Sequence, residues 1–355
     1  MIKRIILSHF MGYERFDSGE FAPINVVIGK NDTGKTGLLK LLYSLCRSVD
    51  TYSRRKGNQE ASLRRIFADK LVNTFQPGKK GLGELVRKPG REKLEIDVEL
   101  DHRVLGYKDR LHFSFGESAT HTINTGTDST KLINDSFRCL FIPAKEVLTQ
   151  LKAIRATRDN LDMIGFDDTY LDLIRSLVIS TGRGNYPNEL KQVNQKLEDL
   201  FEGTVEPTAD LDEFVFKKGK AEFPLTLTSE GVKKIGILTT LIRNRQLNAQ
   251  SVLFMDEPET MLHPAAIREL VEMLTLLAKS GIQIFIATHN YFVLKQIHLC
   301  ARREKVKASC YMLSREKESS VGAQIADLTE DLPENAISEE AIRMADEEVS
   351  LALGI

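Results

Sequence analysis

An eight-residue segment near the start of the chain has the composition of a phosphate-binding loop. It fits the pattern GxxxxGK[ST] at every fixed position and consists of Gly29, Lys30, Asn31, Asp32, Thr33, Gly34, Lys35 and Thr36. Glycines let the backbone wrap around a phosphate, and the amides at the start of the next helix point at the anion. In such a loop Lys35 reaches the β- and γ-phosphates, and the hydroxyl of Thr36 binds Mg²⁺. The segment predicts a site for phosphates and Mg²⁺.

Two adjacent carboxylates follow an apolar stretch much later in the chain. The segment Val252–Met255 predicts a buried strand that delivers Asp256 and Glu257 at its carboxyl end, where open parallel sheets bind ligands. Asp256 is placed to hold Mg²⁺, directly or through water. Glu257 is then the base that polarises a water for in-line attack on the γ-phosphate. Two acids after a strand also simply begin turns, so the catalytic interpretation depends on their combination with the glycine-containing loop.

A third apolar stretch ends in a polar pair. Residues Ile284–Ala287 are followed by Thr288 and His289. A histidine at that position can contact the γ-phosphate and respond to hydrolysis. A lone histidine after a strand is more often structural, so its catalytic role is predicted only together with the other motifs.

A serine and a glycine open the helix that precedes the acidic strand. Ser229 suits an N-cap and Glu230 suits the first helical turn, so the simplest interpretation of this segment is a helix start. The position of Ser229 and Gly231, between the phosphate-binding loop and Asp256, favours a second interpretation as a signature motif.

Strands that alternate with helices must position these residues. Apolar runs predict strands at Ile2–Leu7, Ile24–Ile28, Leu94–Leu100, Leu111–Phe115, Arg138–Ile142, Val252–Met255 and Ile282–Ala287. Apolar residues at helical spacing predict helices at Gly37–Arg47, Val147–Arg158, Thr169–Ser180, Asn188–Phe201, Ala265–Ala278, Tyr291–Cys300 and Ser338–Leu353. A hairpin is predicted over Glu213–Leu225, with its turn at Lys218–Gly219. The alternation predicts an α/β fold with a parallel sheet and crossover helices.

Composition excludes several classes of protein. A chain of 355 residues that is 42% hydrophobic and 28% charged can bury a substantial core and is not wholly disordered. No apolar run approaches the ~18 residues of a membrane span, and the start MIKRIILSHF contains no cleavage site. The cysteines are far apart and form no CxxC pair: Cys46, Cys139, Cys300 and Cys310. We therefore expect reduced thiols, a cytoplasmic location and no membrane partner.

Charge is distributed unevenly along the chain, although the formal net charge is −1. Between Arg54 and Lys93, twelve basic residues accompany four acidic ones, whereas eleven acidic residues accompany three basic ones from Ser314 to the end. The basic segment permits an anionic partner such as DNA. A solvated surface explains the same charges equally well.

The order of the motifs resembles that of ATP-binding-cassette-type ATPases, in which a P-loop, a Ser-x-Gly signature, an Asp-Glu strand and a switch histidine follow one another. MIKRIILSHF and VVIGKNDTGKT are similar to the RecF/SMC/OLD-like branch, and FMDEPETMLHP, IATHNYFVLKQI and FIPAKE resemble bacterial OLD-type ATPases. The resemblance implies an ABC/SMC/RecF-type head with a mixed sheet and a helical insertion. It also implies ATP as the nucleotide.

By that resemblance, two chains sandwich two ATP molecules as a homodimer or higher homo-oligomer. Ser229 and Gly231 then join the nucleotide-binding residues, because each Ser229 faces the γ-phosphate held by the other chain. Related proteins act in DNA repair, chromosome maintenance or antiphage defence, often with a partner effector. The favoured function is a Mg²⁺-dependent ATPase that controls an effector protein, such as a nuclease or toxin, or DNA in antiphage defence. A RecF-like repair factor and a weakly hydrolysing scaffold are the alternatives.

A long coiled coil and a nuclease domain, which occur in members of this branch, are not expected in this chain. The residues between Thr36 and Ser229 contain no heptad run, which favours a helical insertion over a coiled coil. We assign residues 1–145 and 213–355 to the ATPase lobe and 146–212 to the insertion. No DxD pair follows His289, so a nuclease domain is not predicted.

Overall fold

The computed structural model describes residues 1–54, 62–89, 92–101, 110–129, 137–157, 165–179, 188–200, 202–208, 213–315 and 320–353. Within them the strands are β1 (Ile2–Phe10), β2 (Tyr13–Asp17), β3 (Ile24–Gly29), β4 (Leu94–Leu100), β5 (Arg110–Phe115), β6 (Thr125–Gly126), β7 (Arg138–Ile142), β8 (Thr204–Pro207), β9 (Phe214–Lys218), β10 (Ala221–Pro224), β11 (Ser251–Asp256), β12 (Gln283–Ala287), β13 (Ala308–Ser314) and β14 (Gly322–Asp327). The α-helices are α1 (Lys35–Arg54), α2 (Leu63–Phe75), α3 (Leu151–Arg155), α4 (Asp168–Val178), α5 (Asn188–Leu200), α6 (Glu230–Arg243), α7 (Pro264–Lys279), α8 (Tyr291–Glu304) and α9 (Ala336–Leu353).

A six-stranded sheet carries most of the predicted site residues. Its strand order is β14-β13-β3-β12-β11-β7, and every neighbouring pair except β13 and β14 is parallel. The strands β3, β12 and β11 are buried along almost their whole length. Because the carboxyl ends of parallel strands meet at one edge of a sheet, the segments after Gly29, Asp256 and Ala287 lie side by side. The mixed sheet with flanking helices confirms the predicted α/β class.

Alternate residues of the central strands face two hydrophobic clusters. Val26 and Leu253 belong to a cluster that includes α4 to α8, whereas Val27 and Phe254 belong to a cluster that includes α1, α2 and the second sheet. Successive side chains of a strand point to opposite faces of the sheet. Because both faces of these strands are buried, nearly every residue in them is apolar.

A five-stranded antiparallel sheet packs on the other side of α1. Its order is β2-β1-β4-β5-β6, and the predicted pairing of residues 94–100 with 111–115 is confirmed by the register Val98–Leu111. The hairpin of β1 and β2 was not predicted in full, since only residues 2–7 were expected as a strand. This hairpin brings Tyr13 to the loop that precedes α1.

A smaller antiparallel sheet has the order β10-β9-β8. The predicted hairpin is confirmed, because β9 and β10 pair around a turn in which Gly219 has a φ of +60°. β8 packs against α6, so this sheet supports the helix that begins after Ser229.

The helices between residues 146 and 212 pack against the six-stranded sheet. Residues of α3, α4 and α5 share one hydrophobic cluster with that sheet and with α6 and α7. Three predicted helix ends lie outside the described residues: Arg158, Ser180 and Phe201. The division of the chain at residues 145 and 212 stays a prediction.

The helix predicted over Val147–Arg158 is wrong at its start. Helix α3 begins only at Leu151. The carboxylate of Glu146 accepts hydrogen bonds from the backbone N–H groups of Leu148 and Thr149. A side chain that bonds the backbone two or three residues ahead favours a turn over a helix interior, so the chain turns here before α3.

The helix α9 confirms the one predicted over Ser338–Leu353. Its apolar side chains Ile342, Met344, Val349 and Leu351 are exposed.

None of the helices within the described ranges is long and apolar enough to cross a bilayer.

Candidate nucleotide-binding site

The loop between β3 and α1 has the backbone of a phosphate cradle. Gly29 has a φ of +155°, and a Cβ on it would lie 2.5 Å from the carbonyl oxygen of Leu313 on β13. Gly34 has a φ of +82°, and a Cβ there would lie 3.0 Å from the ring of Tyr13. Both positions therefore require glycine. Asp32 has a φ of +63°, a conformation that aspartate tolerates better than most residues, so its presence is compatible with the loop.

Lys35 lies over this loop. Its Nζ donates hydrogen bonds to the carbonyl oxygens of Gly29, at 2.7 Å, and Lys30, at 2.9 Å. Burial lowers the pKa of Lys35, and the carboxylates of Glu257 and Asp256 oppose that shift. The ammonium is therefore held in the cradle by the backbone, where an anionic ligand would gain from its charge.

The first turn of α1 contacts the end of β11. The Thr36 hydroxyl lies 3.1 Å from Oδ1 and 3.0 Å from Oδ2 of Asp256. Burial raises the pKa of Asp256, the hydrogen bond from Thr36 lowers it, and the charge of Glu257 raises it further. Hydroxyl and carboxylate oxygens are ligands of the type that Mg²⁺ prefers, and a divalent cation would stabilise a carboxylate that burial disfavours. These two residues therefore fit a Mg²⁺ site.

Glu257 and His289 contact each other at the same edge of the sheet. Nδ1 of His289 lies 3.1 Å from Oε1 of Glu257, and both side chains are partly exposed. The backbone of Glu257 is fixed by a 2.8 Å hydrogen bond from its N–H to the carbonyl oxygen of Ala287 at the end of β12. The structure thus brings together Lys35, Thr36, Asp256, Glu257 and His289 from three neighbouring strands.

Ser229 is the N-cap of α6. Its hydroxyl accepts a 3.4 Å hydrogen bond from the N–H of Val232, as the simpler interpretation of the sequence predicts. Ser229 is exposed and Gly231 is buried. Among the described residues, the hydrogen bonds of the Ser229 side chain stay within its own helix, so the structure does not join it to the phosphate cradle of the same chain.

Sequence reasoning missed Lys234, which lies on α6 and contacts the turn that carries Glu257. Its Nζ donates to the carbonyl oxygens of Glu257, at 2.9 Å, and Pro258, at 3.3 Å. Burial lowers the pKa of Lys234 to about 8, against the opposing effect of nearby carboxylates, of which Glu259 is the largest contributor. The available signal was a lysine on the buried side of a helix that follows a signature-like serine.

Sequence reasoning also missed the contact between Glu259 and Thr288. The Thr288 hydroxyl donates to Oε1 of Glu259 at 2.6 Å and accepts from the N–H of Asn290 at 3.0 Å. Oε2 of Glu259 is buried and has no hydrogen-bond partner among the described residues. The segments after β11 and β12 are therefore linked by a buried carboxylate. A third acid, two residues after Glu257, was the only signal in the sequence.

The fold and this set of residues define an OLD/RecF-like, ABC-type P-loop ATPase. The chain belongs to the family described as "AAA domain, putative AbiEii toxin, Type IV TA system", whose model matches residues 24–295. That range begins at β3 and ends within α8, so it contains every predicted site residue.

One relative has a similar sequence over part of its length. The chain is 31% identical to the Old nuclease of Escherichia phage P2 over a stretch that covers 30% of this chain and 22% of the nuclease. The match thus spans about a fifth of that protein.

Solved structures with a similar fold are heads of Smc proteins. An SmcHead bound to the C-winged helix domain of ScpA has a TM-score of 0.55 at 10% identity, with 93% of this chain and 99% of that chain covered. An Smc head domain with an extended coiled coil, bound to the C-terminal domain of ScpA derived from Pyrococcus furiosus, has a TM-score of 0.52 at 10% identity, with 98% of each chain covered. At this identity the likeness concerns the fold.

Proposed function

We propose that this chain is a Mg²⁺-dependent ATPase whose ATP-bound heads associate and control a separate protein or DNA. One observation carries the proposal. Thr36 bonds Asp256, the next residue Glu257 contacts His289, and Lys35 bonds the carbonyl oxygens of the loop at the same edge of the sheet. The residues that we propose to bind phosphate, to bind Mg²⁺ and to act as general base therefore share one sheet edge.

Each residue has a separate role in the proposed reaction. Lys35 and the amides of residues 29–36 bind the β- and γ-phosphates, and Thr36 with Asp256 holds Mg²⁺. A Mg²⁺ ion bound by these two residues would neutralise charge on the phosphate oxygens. Glu257 accepts a proton from the attacking water at a carboxylate oxygen. His289 donates its Nδ1–H to the Glu257 carboxylate and so orients that carboxylate for the transfer.

The proposed association uses Ser229. This residue is exposed at the N-terminus of the 14-residue helix α6, where backbone N–H groups and the helix dipole favour an anion. A second chain can therefore present its γ-phosphate to Ser229 and Gly231. Among the described residues the Ser229 hydroxyl bonds Val232 of its own helix and is exposed, so a ligand held by another chain of a homodimer or higher homo-oligomer can reach it.

What this ATPase controls is proposed from the names of its relatives. The family description names a putative AbiEii toxin, and the phage P2 relative is named a nuclease. Both favour a defence or toxin–antitoxin context in which this chain acts with an effector protein. The similar Smc heads are bound to ScpA, which is consistent with a partner protein on the head. Antiphage defence is the context that we propose.

The test is the substitution Glu257→Gln. It leaves Lys35, Thr36 and Asp256 in place, so we expect ATP and Mg²⁺ to bind while turnover falls by about 10²–10⁴-fold, the usual contribution of a general base. ATP then persists between two heads, and an ATP-dependent higher-order species accumulates. Phosphate release and light scattering, each with and without ATP, measure the two effects.

Two further variants control this experiment. Glu269→Gln changes an exposed glutamate on α7 and should behave as wild type. Ser229→Arg in the Glu257→Gln background should prevent the ATP-dependent species, because the arginine blocks the contact between chains. Wild-type turnover in Glu257→Gln would contradict the assignment of Glu257 as the general base. If the higher-order species instead forms without ATP and persists in the Ser229→Arg variant, the result favours a scaffold that hydrolyses little ATP.

A further inference from the structure

We propose that Lys234 is a positioning residue that holds the Glu257 turn and couples it to the helix that begins after Ser229. This inference rests on the proposed ATPase function. Lys234 touches the backbone of Glu257 and Pro258 rather than their reacting atoms. Its effect on the reaction would therefore pass through the orientation of Glu257.

The backbone of Glu257 needs support from outside its own turn. Its φ is +45°, a conformation that residues other than glycine rarely adopt and that surrounding contacts must maintain. The carbonyl oxygen of Glu257 accepts hydrogen bonds from Thr260 N at 3.1 Å, Thr260 Oγ1 at 2.9 Å and Lys234 Nζ at 2.9 Å. Thr260 closes the turn on itself. Lys234 supplies the hydrogen bond from α6.

Helix α6 joins this support to the exposed signature residue. Ser229 caps the helix and Lys234 lies in its second turn, so the two are separated by about 7.5 Å along one helix axis. The helix is rigid over that distance. A γ-phosphate bound by Ser229 from another chain would therefore fix the position of Lys234 and, with it, the turn that orients Glu257 in the same chain.

The surroundings of Lys234 differ from those of the neighbouring lysine. Both side chains are buried, with Lys233 7% and Lys234 9% exposed. Lys233 pairs with Glu230 in its own helix at 2.6 Å, which satisfies its charge locally. The ammonium of Lys234 instead bonds two carbonyl oxygens of another segment. Burying a lysine is costly unless it is bonded, so its position reflects the turn that it holds.

The experiment compares Lys234→Met with Lys233→Met. We expect kcat of Lys234→Met to fall by about 10²-fold, because small misplacements of a catalytic group have effects of that size. Its KM and its affinity for a fluorescent ATP analogue should change by less than about threefold, since the phosphate-binding residues are untouched. Lys233→Met should keep the wild-type kcat. Lys234→Arg, which keeps the charge and the donors, should restore kcat to within about tenfold of wild type.

A double mutant tests whether Lys234 acts through Glu257. In the Glu257→Gln background, Lys234→Met should cause no further loss, because residues that act as a unit are not additive. A further hundredfold loss there would overturn the inference, and so would equal losses in the Met and Arg variants. Lys234→Gln, which keeps a donor without the charge, provides a milder variant with an expected intermediate kcat if Lys234→Met does not fold.

The outcomes also separate the inference from the proposed function. If Glu257→Gln has wild-type turnover, the assignment of the base fails first. If Glu257→Gln is inactive while Lys234→Met and Lys233→Met both match wild type, the ATPase stands and the positioning role of Lys234 is overturned.

Discussion

The charge of Lys35 is the residue-scale feature on which nucleotide affinity depends. Its ammonium is buried, and it is held by two loop carbonyl oxygens rather than by a hydrogen-bonded carboxylate. Carbonyl groups are neutral, so the positive charge stays available to an anion in the cradle. The carboxylates of Asp256 and Glu257 keep that charge stable against the effect of burial.

At this scale we predict that Lys35→Ala weakens ATP binding by at least about tenfold, because a hydrogen bond to a charged group contributes about 1.5–3 kcal/mol. Titration with a fluorescent ATP analogue measures the change, and thermal unfolding checks that the variant is folded. Lys191→Ala is the control, since Lys191 is an exposed lysine of α5 that lies outside the loop. Unchanged affinity in a folded Lys35→Ala protein would contradict the site.

At the scale of elements, a buried polar network fixes α1 against α2 and α4. Oδ2 of Asp172 lies 2.6 Å from the Tyr43 hydroxyl, 2.6 Å from Lys70 Nζ and 3.4 Å from Arg47 Nε. Burial raises the pKa of Asp172, but the positive charges of Lys70 and Arg47 outweigh burial and lower it to about 2. The helix that follows the phosphate cradle is thereby tied to a helix of the segment 146–212.

We predict that Asp172→Asn lowers the free energy of unfolding by about 2 kcal/mol at pH 7, because it removes the buried charged acceptor that Tyr43, Lys70 and Arg47 share. Lys70 keeps its ion pair with Asp168 and Arg47 keeps its ion pair with Asp50, so neither cation is left unpaired. Urea unfolding measures the loss. Asp69→Asn is the control, since Asp69 is exposed and lines a surface cavity that Asp172 also lines. A loss no larger than that of the control would contradict the role of the network.

The same variant has an expected pH dependence. The pKa of Asp172 in the folded chain lies below its ordinary value of 3.8, so its stabilising effect is present above about pH 4. That effect is lost as the pH falls from about 4 through the folded pKa near 2. The difference in unfolding free energy between wild type and Asp172→Asn should therefore narrow over this range, and a constant difference would contradict the assignment.

At the scale of the whole molecule, much of the basic segment is neutralised by the fold itself. Among the basic residues of the segment that the structure describes, five have a carboxylate partner: Arg54, Arg64, Lys70, Lys80 and Lys88. Within the described part of the chain, Arg65, Lys79 and Lys93 are exposed and have no ion pair. DNA binding remains a prediction, and these three residues now define where it can be tested.

If the segment binds DNA, changing Arg65, Lys79 and Lys93 to Glu should weaken binding and reduce the slope of log K against log salt by about one unit for each phosphate that is no longer neutralised. Fluorescence anisotropy across a salt series measures the slope. The control changes Lys191, Lys196 and Lys220 to Glu, three exposed lysines elsewhere on the chain. Equal slopes in the two triple variants would show that the basic segment does not bind phosphate.

The sequence by itself determined the local features of this protein. The phosphate cradle, the acidic pair after β11 and the histidine after β12 are encoded by contiguous residues. Strands buried on both faces gave continuous apolar runs, and amphipathic helices gave apolar residues at helical spacing, so most of these elements were predicted with ends that differ by a few residues. Such features depend on neighbours along the chain, which a sequence displays directly.

Only the tertiary structure decided which distant residues meet. Lys234 lies 23 residues from Glu257 along the chain, and Tyr43 lies 129 residues from Asp172, yet both pairs are in hydrogen-bond contact. The position of β13 beside β3 was likewise not evident. Contacts of this kind depend on how helices pack on the sheet and on which buried polar groups then need partners. A local sequence pattern shows neither the helix packing nor these partners, because each contact depends on two segments that are distant along the chain.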